Sequence, residues 1–113
     1  MADWRLEWGI RAHGDFLDIV EFIARDSRVN ARRVARRLDA AAMSLRQLPL
    51  RGRVPHEFPS SFRTTLRELA VPSWRMLYTV KGRIVKIAGV VDGRRDILVW
   101  LEREQDRFRL DSR

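Results

Sequence analysis

Cysteine is absent from this chain of 113 residues, and histidine occurs only twice. Without a thiol, the protein can form no disulfide bond, no thiolate metal site and no cysteine nucleophile. The two imidazoles, at His13 and His56, lie far apart in the sequence and lack the spacing typical of a transition-metal site. We therefore expect a protein that works without a bound metal ion or cofactor.

Long hydrophobic runs are missing too. The longest uncharged apolar run falls far short of the roughly 20 residues needed to cross a bilayer, so we expect no membrane partner. The first ten residues carry Asp3, Arg5 and Glu7 where a secretory signal needs a continuous apolar core, which predicts a cytoplasmic protein. The length fits one folding unit, and we expect residues 1–113 to form a single domain.

Lysine is scarce in a chain that is nevertheless strongly basic. The 23 basic residues are 21 arginines and two lysines, against 15 acidic residues, which gives a net charge of +8. Residues 49–95 carry a net +7, whereas residues 1–48 carry +2 and residues 96–113 carry −1. A guanidinium is a permanently charged fork that suits phosphate or carboxylate. This concentration is typical of a protein that binds nucleic acid, an acidic protein partner, or both.

The N-terminal half carries the patterns of one strand and two helices. Residues 4–8 alternate large apolar with charged side chains, which predicts a half-buried strand. A first helix from about Ala12 is predicted by an apolar stripe at Phe16, Ile19, Val20 and Ile23. A second helix, with Asn30 as its cap and Pro49 beyond its end, is predicted by a stripe at Val34, Leu38, Ala41, Leu45 and Leu48. Since the break between them is short, the two helices should form an antiparallel hairpin.

The second helix also carries four arginines, at Arg32, Arg33, Arg36 and Arg37. They alternate with the apolar residues of the stripe, as the exposed side of a core helix would. The pattern therefore favours a solvated face over a dedicated nucleic-acid site, although such a face remains available to a partner.

The C-terminal half predicts a meander of three strands after a long surface connection. Residues 49–65 contain three prolines and a glycine, which break regular structure. Strands are predicted at 66–71, 74–81 and 84–91, with an apolar row at Met76, Tyr78 and Val80 facing inward. Residues 96–108 have helical spacing, although residues 97–100 alone would also continue a strand. The prediction is an α+β fold, β-α-α-β-β-β, with an N-terminal helical hairpin packed on a small antiparallel-rich sheet and a short C-terminal helix.

Four short motifs, in this order, resemble the RelE/ParE superfamily of bacterial toxins. They are LRGRVP at 50–55, LREL at 66–69, WRMLY at 74–78 and GRRD at 93–96. The resemblance covers nearly the whole chain. It implies the toxin of a type II toxin–antitoxin pair, which arrests growth when its labile antitoxin is degraded. The implied partner is an antitoxin with an acidic, partly disordered tail that folds on binding, in a hetero-oligomer.

One branch of that superfamily, the RelE-like enzymes, cuts messenger RNA inside the ribosome. Such cleavage needs a base, an acid and charge stabilisation around one phosphate. The resemblance assigns Arg75 and Arg95 to basic positions of that active site, with Glu68 as the remaining candidate catalytic group. If the protein is a nuclease, these three residues are its expected site, and the ribosome with its mRNA is the target.

Other positions depart from the nuclease pattern. Leu66 and Glu68 stand where RelE-like enzymes carry lysines, and the position of their C-terminal tyrosine falls at about Trp100 or Leu101. Neither an indole nor an aliphatic side chain can transfer a proton. The resemblance therefore favours a toxin that is not an enzyme.

The ParE-like branch keeps the fold and poisons DNA gyrase, and the arginine motifs are more similar to that branch. The expected target-binding residues are Arg67, Arg75, Arg94 and Arg95. Structural roles stay open: Arg67 would then pair with Glu68 or Asp96, and Arg75 would stack on an aromatic ring or bind a backbone carbonyl. A non-toxic member that only binds its antitoxin is a third possibility.

Overall fold

The predicted order of strands and helices is confirmed by a computed structural model that describes residues 3–55, residues 66–94 and Trp100. The elements, in chain order, are β1 (Arg5–Trp8), α1 (Ile10–Ala24), α2 (Arg28–Ser44), β2 (Leu66–Val71), β3 (Trp74–Lys81) and β4 (Ile84–Asp92). The predicted C-terminal helix at 96–108 lies outside the described residues except for Trp100, whose side chain is buried.

The four strands form one mixed sheet in the order β1-β4-β3-β2. Strands β2, β3 and β4 are the expected antiparallel meander, whereas β1 pairs with β4 in parallel, from Arg5 opposite Ile84 to Trp8 opposite Ile87. The β3–β4 hairpin closes through two residues, of which the first, Gly82, has a φ of 60°. Glycine adopts that conformation without steric cost, which explains the tight turn.

The helical hairpin covers one face of this sheet, and the core lies between them. Helix α1 packs mainly on β4, and α2 packs on the β2 side. The buried cluster contains Ala12, Leu38, Ala42, Leu45, Leu69, Val71, Met76, Tyr78, Val85, Ile87 and Val90. Met76 and Tyr78 belong to the predicted inward row of β3. The alternation of side chains along the strand therefore predicted correctly that these two residues face the core.

Helix α1 is also fixed to β4 by polar contacts. The backbone N–H of Gly9 donates to the Ile87 carbonyl at 2.9 Å, where the parallel pairing ends. One turn into the helix, the Asp15 carboxylate accepts a 3.0 Å hydrogen bond from the backbone N–H of Val90. Asp15 on α1 thus provides an acceptor for the backbone N–H of Val90, which lies on β4 beyond the end of its pairing with β1.

Two details of α2 differ from the prediction. The cap is Ser27, whose hydroxyl accepts a 3.1 Å hydrogen bond from the backbone N–H of Asn30, so Asn30 contributes its backbone and not its side chain. The helix ends at Ser44, which leaves Leu48 exposed rather than in the buried stripe. The helical spacing of apolar residues in the sequence continues to Leu48, although the helix itself ends at Ser44.

No helix among the described residues is long and apolar enough to span a bilayer.

Replacing Ser27 with alanine should lower the free energy of unfolding by about 1 kcal/mol, because the first turn of α2 loses a side-chain acceptor. Asn30→Ala is the matched control and should have a smaller effect, since its backbone donor is retained. Urea unfolding of both variants measures the difference. A larger loss for Asn30→Ala would show that Asn30, and not Ser27, caps the helix.

Candidate functional site

The segment after α2 returns to the sheet and runs beside the edge strand β2. Arg53 and Glu68 exchange both backbone hydrogen bonds, at 2.9 Å and 2.8 Å. Residue 53 falls in the stretch 49–65 that was predicted as a surface connection, so part of that stretch is paired. The contact covers the edge of β2 at Glu68 and satisfies polar groups that an exposed strand would present to other chains.

Gly52 makes this close return possible. Its N–H donates to the Tyr78 hydroxyl at 2.8 Å, and its carbonyl accepts from Arg67 Nη1 at 2.9 Å. A Cβ at this position would lie 2.4 Å from the Glu68 carbonyl oxygen and 2.6 Å from the Tyr78 hydroxyl oxygen. No larger residue fits without displacing backbone, which explains why the LRGRVP motif has glycine at its centre.

A second contact holds the same segment to helix α2. Arg51 Nη1 donates to the Ser44 hydroxyl at 2.8 Å, and that hydroxyl donates in turn to the Ala41 carbonyl at 2.6 Å. Arg51 therefore links the returning segment to the last turn of α2, where unpaired carbonyl groups attract a cation.

Glu68 is the centre of the site. It is 4% exposed and is the one buried acidic side chain among the described residues. Its Oε1 accepts from Arg53 Nε at 2.7 Å, and its Oε2 accepts from Arg75 Nε at 2.6 Å. Arg75 Nη2 also contacts Oε2. Glu68 stands diagonally across from Arg75 on neighbouring antiparallel strands, at a distance that long side chains span.

The two arginines differ in how much of the guanidinium reaches solvent. The Arg75 side chain is 13% exposed, whereas the Arg53 side chain is 65% exposed. A carboxylate this deeply buried is tolerated only when it is paired and hydrogen-bonded. Glu68 therefore engages Arg75 inside the protein and leaves Arg53 accessible to a partner.

Tyr78 is fully buried next to this cluster. Burial raises the pKa of its phenol above the ordinary value, and this effect outweighs the opposing hydrogen bond from Gly52 and the nearby charges of Arg67 and Arg51. The phenol therefore stays neutral at physiological pH. Tyr78 is a core residue, as its place in the apolar row predicted, and its hydroxyl accepts a hydrogen bond from the Gly52 N–H.

The structure places the predicted site residues in three different situations. Arg67 is half-buried and binds the Gly52 carbonyl, not Glu68, while Arg75 binds Glu68. Arg94 is 93% exposed and lies 3.4 Å from Asp92. Arg95 and Asp96 lie outside the described residues. Of these residues, the structure brings Glu68 and Arg75 into direct contact, whereas Arg67 contacts Gly52.

An open groove of about 520 Å³ lies over this cluster at one end of the sheet. It is lined by Arg53, Glu68, Arg75 and Gly93, by Trp74 and by the turn at residues 70–73. The Gly93 N–H binds the Ser73 carbonyl at 2.9 Å and so brings the residue before Arg94 to the rim. We call this surface the basic groove.

Arg53 is the residue of the basic groove that the sequence alone did not assign. It belongs to a motif that pointed to the family, but its role depends on the chain returning to β2 through Gly52. In the described part of the chain, no group of acidic or histidine side chains is placed to hold a metal ion. The chemistry that the groove offers is recognition of an anion by guanidinium groups.

Gly52→Ala should lower the free energy of unfolding by about 1–3 kcal/mol, because the new methyl group overlaps the Glu68 carbonyl and the Tyr78 ring. Gly14→Ala is the matched control: it lies in α1 with no atom within 4 Å of the added Cβ. That control should raise stability by up to about 1 kcal/mol through helix propensity. Urea unfolding that ranks the two variants in the opposite order would contradict the close approach.

Glu68→Gln should lower the free energy of unfolding by about 3 kcal/mol, because it removes the negative charge that faces the largely buried Arg75. Arg53→Gln removes the exposed partner of the same carboxylate and should cost at most about 1 kcal/mol. Denaturant unfolding of both proteins measures the difference. Equal losses of unfolding free energy in the two variants would mean that the buried Arg75 does not need the charge of Glu68.

Comparison with known proteins gives the family. A family model described as the ParE toxin of the type II toxin-antitoxin system, parDE, matches residues 6–97. A solved structure titled "Chromosomal ParDE TA system from P. aeruginosa" contains a chain that superimposes with a TM-score of 0.65 at 19% identity, over 79% of this chain and 95% of that one. No curated protein matches in sequence. The structural likeness supports the fold, and the family match covers most of the chain, which therefore belongs to the ParE toxin family of type II toxin–antitoxin systems.

Proposed function

We propose that this protein arrests growth by poisoning DNA gyrase and that a cognate antitoxin neutralises it by binding. The observation that carries the proposal is the engagement of Arg75 with Glu68. A nuclease of this superfamily would need that arginine at the scissile phosphate, but here its side chain is 13% exposed and its Nε lies 2.6 Å from a carboxylate oxygen. A gyrase target also implies action in the cytoplasm.

The protonation chemistry supports the same choice. Cleavage of RNA by its own 2′-oxygen requires groups that accept and donate a proton at the reacting atoms. Glu68 is buried between two arginines, and the Tyr78 phenol is buried with a raised pKa. The Glu68 carboxylate lines the groove, but arginines hold both of its oxygens, and Gly52 holds the buried Tyr78 hydroxyl. Neither group can exchange a proton with a bound RNA unless these contacts break, and a protein-binding mechanism does not require them to break.

We assign target contact to the rim of the basic groove. Arg53 lines the groove and is exposed, Arg94 is exposed and directly follows the lining residue Gly93, and Arg95 is next in sequence. Arg67 and Arg75 instead act as positioning residues, because one binds Gly52 and the other binds Glu68. Of the four arginines expected at the target, we thus assign two, Arg67 and Arg75, to positioning rather than to target contact.

The antitoxin part of the proposal depends on charge and on apolar exposure. The chain carries a net +8, and large apolar side chains are exposed on and after the helical hairpin. They include Ile10, Leu17, Phe22, Met43, Leu48 and Leu50. An acidic amphipathic segment that folds on binding would cover such side chains while it pairs with arginines. The complex is then a hetero-oligomer of toxin and antitoxin.

The test is a supercoiling and DNA-cleavage assay of purified gyrase with this protein, in the presence and absence of its antitoxin. We expect inhibition or trapped cleavage complexes that the antitoxin relieves. Arg53→Gln combined with Arg94→Gln should raise the toxin concentration needed by at least about tenfold, because two charge-assisted contacts are lost. Arg5→Gln combined with Arg25→Gln removes the same charge from other exposed positions and should leave the potency unchanged.

A preparation that halts growth but leaves gyrase unaffected would overturn the proposal. Codon-specific cleavage of mRNA in ribosomes, lost in Arg75→Ala, would then assign the protein to the nuclease alternative. Loss of activity in the Arg53 and Arg94 variant counts only if its circular dichroism spectrum and unfolding midpoint match those of the parent.

A further inference from the structure

Helix α2 displays a row of arginines that the basic groove does not use. Arg28, Arg32 and Arg36 recur every four residues, and Arg33 and Arg37 form a second row beside them. All five side chains are exposed, and Arg32, Arg33 and Arg36 lie on the side of the helix away from the buried Leu38. We call these five residues the arginine face of α2.

This arrangement opposes the stability of the helix. Like charges four residues apart on a helix repel each other, and no described residue forms an ion pair with any of the five. The first turn contains no acidic residue, although its unpaired N–H groups and the helix dipole favour negative charge there. Residues that lower the stability of the helix that carries them are typical of functional surfaces.

The face also has a concave part. Arg32, Arg33 and Arg36 line an open depression of about 340 Å³ together with the exposed side chain of Val29. Three guanidinium groups around one depression form a cradle for an anion with several oxygen atoms, such as a phosphate diester.

We propose that the arginine face of α2 binds the phosphate backbone of double-stranded DNA without sequence preference. The five residues are all arginines, spaced regularly along the helix. The phosphates of DNA are also spaced regularly, so the two sets of charges complement each other. Single-stranded nucleic acid is recognised largely by stacking on aromatic side chains, and the face has none. The major groove of B-form DNA admits a helix, whereas the major groove of an RNA duplex is too narrow.

This DNA contact is separate from the proposed poisoning of gyrase. The arginine face belongs to the toxin itself and would bind DNA whether or not gyrase is the target. Contacts to phosphates fix position but carry no sequence information. The arginine face would therefore hold the toxin on DNA, while the basic groove remains available for a protein partner.

The test is fluorescence anisotropy of a labelled duplex of about 20 base pairs titrated with the full chain between about 50 and 200 mM salt. We expect a dissociation constant in the micromolar range at the lower salt, with affinity that falls steeply as salt increases. The combined Arg32→Gln, Arg33→Gln and Arg36→Gln variant should weaken binding by at least tenfold and reduce the slope of log K against log salt by about 2.7, since three phosphate contacts are lost.

The matched control is Arg5→Gln with Lys81→Gln and Lys86→Gln, which removes the same three charges from the sheet. It should keep the affinity within about a factor of two and leave the slope unchanged. Both variants should retain the parent's circular dichroism spectrum, and the α2 variant should melt at the same or a higher temperature, because repulsion is relieved. Should the α2 triple variant fail to fold, Arg28→Gln with Arg37→Gln probes the same face and should reduce the slope by about 1.8.

Three results would overturn the proposal. Equal weakening in the α2 variant and the sheet control would mean that only net charge matters. Tighter binding of a single-stranded RNA of equal length would assign the face to RNA. Tighter binding of poly-glutamate of equal charge would assign it to an acidic protein segment.

Discussion

The buried carboxylate of Glu68 is the constraint on which the rest of the site depends. A charge this inaccessible needs a paired, hydrogen-bonded partner, which the largely buried Arg75 provides. The exposed Arg53 adds a second contact from another part of the chain. The backbone pairing of Arg53 with Glu68 then requires the segment before it to pass against the sheet, where only a glycine fits. The closed edge of β2, the close approach of Gly52 and the orientation of Arg75 therefore all meet at Glu68.

Four arginines on or beside the sheet fall into two groups that differ in exposure and partners. Arg67 and Arg75 are internal, because their donors are directed at Gly52 and Glu68, while Arg53 and Arg94 present guanidinium groups to solvent. By the resemblance to the superfamily, Glu68 stands where RNA-cleaving members carry a lysine. With a carboxylate at that position, the Arg75 guanidinium is held in an ion pair with Glu68.

The sequence predicted the elements well because helix and strand periods are local properties. The inward row of Met76 and Tyr78 followed from alternation alone. What it did not predict depends on pairing between distant segments: the parallel contact of β1 with β4, the return of Arg53 to β2 and the choice of Arg75 as the partner of Glu68. Strand register decides which charged side chains meet, and local sequence patterns do not contain that register.

The most direct test of the account is nitrogen-15 NMR of the arginine side chains, with the exposed Arg94 as internal reference. If Glu68 holds Arg75, the Arg75 Nε–H should exchange slowly with water, should not shift when an RNA oligonucleotide is added, and should become fast in Glu68→Gln. An Arg75 signal that exchanges as fast as that of Arg94 and shifts on addition of RNA would show that the guanidinium is available to a phosphate, which would contradict the central claim.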